Sequence, residues 1–88
     1  MPTKFIPLTD MKSLAQRADD YCSRYDIPEE VYRDLLAEQE AYWELLQKYP
    51  SRYGNIEDWE EAKTLNRFIV TLLIIRISEI MEREYKTG

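Results

Sequence analysis

The residues of this 88-residue chain whose types and spacing could do chemistry are glutamates. Glu57 and Glu60 stand three apart, and so do Glu79 and Glu82, a spacing that places each pair on one helical face. Carboxylate oxygens are the donors Mg²⁺ prefers, in near-ideal octahedral geometry. Little else in the composition is reactive. There is no histidine, so the commonest metal ligand and neutral-pH acid–base group is missing. No Gly-rich phosphate loop, cysteine pair or Ser/His/Asp set is present. The single cysteine, Cys22, falls on an apolar helical face, which suits a packed thiol better than a nucleophile.

The paired glutamates are similar to the arrangement in MazG-type all-α nucleotide pyrophosphatases, where an E-x-x-E pair and an E-x-x-D pair hold magnesium. The likeness covers these four positions only. Here the second pair ends in Glu82, and the intervening EAKTLNRFIVTLLIIRIS contains no turn. On one rod the pairs stand about 33 Å apart at 1.5 Å per residue, so a single chain does not close the site. No catalytic residue, metal or cofactor is therefore expected, and the glutamates read as solvated helix acids near Lys63 and Arg83. A Mg²⁺-dependent pyrophosphatase-like enzyme is the least favoured alternative.

The elements that would carry any site are helices. Breakers gather at Pro2 and Pro7, at Asp26–Pro28, and in YPSRYGN at 49–55. Three helical segments lie between them, at about 10–25, 28–48 and 56–85, in a single domain covering 1–88. In the first, Met11, Leu14, Ala15, Ala18, Tyr21, Cys22 and Tyr25 share an arc of roughly 120°, with Thr9 or Asp10 available as cap. The second, opened by Pro28 and stopped by Pro50, carries Val31, Tyr32, Leu35, Leu36, Tyr42, Trp43, Leu45, Leu46 and Tyr49 on roughly half its wheel. Glu38 and Gln39 intrude on that arc. If the second and third segments pack antiparallel across 50–55, a buried Glu38 meets Asn66 or Arg67, because a buried carboxylate needs a partner; the alternative is that Glu38 leans to the edge and stays wet.

The third segment contains RFIVTLLIIRIS, whose β-branched residues favour a strand locally. No turn signal bounds the run, and good helix formers flank it, so a helix capped by Asn55 is expected. The apolar run is less than half the ~20 residues of a membrane span. Its apolar arc covers roughly 260°, far more than the ~100° needed against one layer. The other two segments cover about half of that arc. The fold class expected is therefore all-α: a three-helix antiparallel hairpin-type protomer, completed as a bundle by homodimerisation, with Ile69, Leu73, Ile77 and Ile80 in the interface.

Charge narrows the partners. Net charge is −5, and residues 26–49 account for it: Asp26, Glu29, Glu30, Asp34, Glu38, Glu40 and Glu44 against Arg33 and Lys48. Direct nucleic-acid binding and an anionic membrane surface are both disfavoured. A lone cysteine fits a reducing cytoplasm, and MPTKFIPLTD has no apolar core of the secretory kind. The function expected is a small acidic interaction or regulatory protein, an adaptor or inhibitor that occupies another protein. Its anchors are expected at Tyr49, Arg52, Tyr53 and Trp59, residue types enriched at binding hot spots. An acidic mimic of nucleic acid, presenting the second segment, is the runner-up.

Overall fold

The computed structural model describes residues 5–87 and is all-helical: α1 (Leu8–Cys22), α2 (Glu29–Lys48) and α3 (Ile56–Thr87), with a 3-10 turn at Pro50–Tyr53. RFIVTLLIIRIS lies entirely inside α3. The molecule measures 49 × 23 × 18 Å, and its long dimension is that of α3, whose 32 residues rise about 48 Å.

Helix α1 starts two residues earlier than its cap signals imply and stops three residues sooner. Pro7 holds the extended position before it (φ −60°, ψ 156°) and its carbonyl accepts from the Met11 N–H at 2.9 Å. Thr9 and Asp10 therefore lie inside the first turn, where the Asp10 carboxylate favours the positive end of the dipole. At the other end, the Ser23 N–H and Oγ donate to the Asp19 carbonyl. The Tyr32 hydroxyl donates to the carbonyls of Tyr21 (2.7 Å) and Arg24 (3.3 Å). A side chain of α2 thus satisfies the frayed end of α1, and Tyr25 is left outside. Asn55 caps α3 as expected, its Oδ1 accepting from the Asp58 N–H at 2.8 Å. Gly54, at φ +85°, makes the reversal before that cap, a conformation side-chained residues avoid.

Both α1 and α2 pack on α3. Along α2 and α3 the contacts pair descending with ascending numbers: Leu46 with Trp59, Gln39 with Asn66, Tyr32 with Arg76. Met11, Ala15 and Ala18 of α1 share one core with Tyr32, Tyr42 and Leu46 of α2 and Ala62, Ile69, Leu73 and Ile77 of α3. Each of the larger of these side chains contributes roughly 1.5–3 kcal/mol by leaving water.

Two expectations need correcting here. Ile69, Leu73 and Ile77, assigned to a dimer seam, are buried within one chain, and Ile80 is half-buried against the same core. Two helices approaching from different sides use up the most apolar sector of α3 first. Glu38 is exposed. Its neighbour Gln39 occupies the buried place instead, where Asn66 Nδ2 donates to both the Gln39 carbonyl and Oε1 at 2.9 Å. The level was anticipated but the residue was not: one position is a ~100° rotation of the helix. A third polar group, Arg76, is buried beside the Tyr32 hydroxyl, donates to the Arg24 carbonyl at 3.0 Å, and stacks 4.7 Å from the Tyr25 ring. It ties the loop after α1 to α3.

Candidate protein-binding site

The turn between α2 and α3 exists because Pro50 cannot continue α2 and Gly54 can reverse the chain. The four anchor residues expected there divide into two kinds. Tyr53 and Trp59 have internal work. The Tyr53 hydroxyl donates to the Ile6 carbonyl at 2.6 Å and shares a short hydrogen bond with the Tyr42 hydroxyl. Tyr42 in turn accepts from the Ile6 N–H at 2.9 Å, and the Phe5 ring lies 4.8 Å from that of Tyr53. Burial, and then the hydrogen bond with Tyr42, hold the Tyr53 phenol well above the usual tyrosine range. Trp59 Nε1 donates to the Leu46 carbonyl at 2.9 Å, closing the end of α2, and Lys63 Nζ sits 3.7 Å from its ring centre.

Tyr49 and Arg52 face outward, with the guanidinium 5.4 Å from the Tyr49 ring centre. Beside them lies an open hollow of about 400 Å³ lined by Pro50, Ser51, Gly54, Asn55, Ile56 and Trp59. Ile56 is 68% exposed. Sequence reasoning missed Pro50 and Ile56 as its walls, although an isoleucine directly after a cap residue, one turn outside the core stripe, was a usable signal. The place offers apolar contact, a tryptophan ring and a forked cation.

The glutamate pairs are separated by the unbroken length of α3. Glu60 pairs with Lys63 and Glu79 with Arg76, each at 3.4 Å. No three metal-capable side chains converge among the described residues. Cys22 Sγ donates to the Leu72 carbonyl at 3.6 Å, and burial pushes its thiol up, against the opposing pull of Arg76. On α2, Glu30, Asp34 and Glu38 form an exposed i, i+4, i+8 row, while Arg33 is engaged by Glu29. No helix among the described residues is long and apolar enough to cross a membrane. No family model, no curated protein and no solved structure matches this chain.

Proposed function

We propose that this chain is a homodimeric, antiparallel helical adaptor or inhibitor that acts by occupying another protein through the end carrying residues 49–59. The observation that carries this reading is the exposed apolar hollow at Pro50, Ile56 and Trp59, flanked by Tyr49 and Arg52. Apolar centre, aromatic wall and bidentate cation together form the usual anatomy of a recognition hot spot. Tyr53 supports the site from below by anchoring residues 5 and 6. A two-fold dimer presents the hollow twice, so a partner with two epitopes gains from effective concentration.

The test is capture from the native host with mass spectrometry, comparing the wild type with Tyr49→Ala/Arg52→Ala. Both residues are exposed, so the variant keeps its fold and melting temperature. Loss of the captured protein supports the reading; unchanged capture overturns it. One observation favours a second reading, the acidic mimic: Glu30, Asp34 and Glu38 form an exposed row on α2. In that case capture falls steeply with salt and is insensitive to the turn substitutions.

A further inference from the structure

With α1 and α2 in place, α3 keeps a second apolar face. Phe68 and Ile75 line one side of it and Ile74 and Met81 the other, each about half exposed. Between these rows run Thr64, Thr71 and Ser78, all exposed. They are seven apart, which is nearly two helical turns, so the small side chains fall in one line. Helix axes approach to about 8–10 Å, the nearer distance where contact residues are small.

Resting on the dimeric reading above, we propose that this face is covered by α3 of a second copy. The two helices run antiparallel about a two-fold axis between Ile74 and Ile75. Charge picks the occupant and the register. The face carries the exposed cation Arg67, held at its edge 5.9 Å from the Trp43 ring, with Glu60 nearer one end and Glu82 nearer the other. In an antiparallel pair, facing residues have a constant sum of numbers. Setting Arg67 opposite Glu82 also sets Phe68 opposite Met81, Thr71 opposite Ser78, and Ile74 opposite Ile75. Symmetry repeats every pairing. Glu60 then lies beyond the end of the partner's helix. Setting Arg67 opposite Glu60 instead moves the axis to about Lys63 and leaves Ile74, Ile75 and Met81 uncovered. A parallel pair would place Arg67 on Arg67 and Glu82 on Glu82, a like-charge penalty.

The area agrees. At roughly 200 Å² per large side chain, the exposed parts of the four apolar residues and Tyr85 amount to about 570 Å² per chain. The threonine line and charged rim bring this near the ~800 Å² per partner of a stable complex.

The test uses the full chain with Cys22→Ser. A residue meets its own copy only near the axis, so Ile75→Cys cross-links with a short bismaleimide and Thr64→Cys does not. Arg67→Glu and Glu82→Arg each weaken self-association about ten- to hundredfold, because two ion pairs become two repulsions. The doubly reversed variant recovers to within about threefold of the wild type, since its charges again alternate. All four positions are exposed, and circular dichroism confirms that each variant is folded. A dimeric wild type whose Thr64→Cys variant cross-links in preference to Ile75→Cys overturns this register and leaves the dimeric reading standing. A wild type that is monomeric at high micromolar concentration overturns both.

Discussion

Replacing Asn66 probes the interior most sharply, because its carboxamide is fully buried and its Nδ2 serves two oxygens of Gln39. The Gln39 carbonyl retains its helical partner when Asn66 is shortened, but Oε1 is left in a dry core. An orphaned buried acceptor costs about 1–3 kcal/mol, and the vacated volume adds roughly 1 kcal/mol. Asn66→Ala should therefore lose about 3 kcal/mol, from a total of roughly 4–13 kcal/mol for a chain of this length. Asn66→Asp is isosteric but faces two acceptors, so its carboxyl must keep a proton to donate even once. Its folded pKa lies above the ordinary ~3.9. As pH rises, the unfolded chain ionises first, so this variant is most stable below about pH 4 and weakens as pH climbs towards the folded pKa. Gln39→Leu/Asn66→Leu removes both polar partners while keeping volume, and should lie within about 1 kcal/mol of the wild type. Urea unfolding followed by circular dichroism at one protein concentration measures all three. Equal destabilisation of Asn66→Asp and Asn66→Ala with no pH dependence between them, or a double leucine variant as weak as Asn66→Ala, would exclude this role for the Gln39–Asn66 pair.

Three further outcomes are expected. Gly54→Ala should cost about 1 kcal/mol in urea unfolding; no atom lies within 4 Å of the added methyl, so backbone conformation is the whole effect. Tyr53 holds its proton in the folded chain beyond the ordinary ~10; stability it confers is intact below that pH and is lost as pH rises above it. Alkaline unfolding monitored by tyrosinate absorbance should accordingly begin later in Tyr53→Phe relative to its own neutral-pH stability. Cys22, with its thiol pushed up by burial, should react with iodoacetamide at pH 8 more slowly than the same thiol in urea; equal rates would refute its packed state.

Much of the fold could be read from local chemistry. The helical fate of RFIVTLLIIRIS follows from missing turn signals at its ends, which outweigh the strand preference of Ile69, Val70, Ile74 and Ile75. Asn55 and Gly54 marked the last reversal because cap and turn chemistry are local. The meeting of residues 39 and 66 was legible as a level, since the antiparallel pairing expected across 50–55 fixes the sum of facing numbers. Choosing Gln39 over Glu38 depended on a helix rotation that only packing decides. Long-range knots were illegible. Ile6, Tyr42 and Tyr53 join segments that share no periodicity, and Arg76 reaches back to the Arg24 carbonyl. At the site, Tyr49 and Arg52 stood out by residue type, whereas the internal hydrogen bond of Trp59 to Leu46 depends on where α2 ends. The width of α3's apolar arc announced an excess. Which residues remain uncovered was settled by the arrival of α1 and α2 on the Ile69–Leu73–Ile77 sector.

Pairing of α3 with a second copy of itself, as proposed above, shows first in the mass of the protein in solution. Sedimentation equilibrium of the wild-type chain, from low to high micromolar concentration, should report twice the 10.6 kDa of one chain. The melting temperature should rise with protein concentration, because association stabilises the folded state. A mass of 10.6 kDa throughout that range, with a melting temperature independent of concentration, would rule the dimer out.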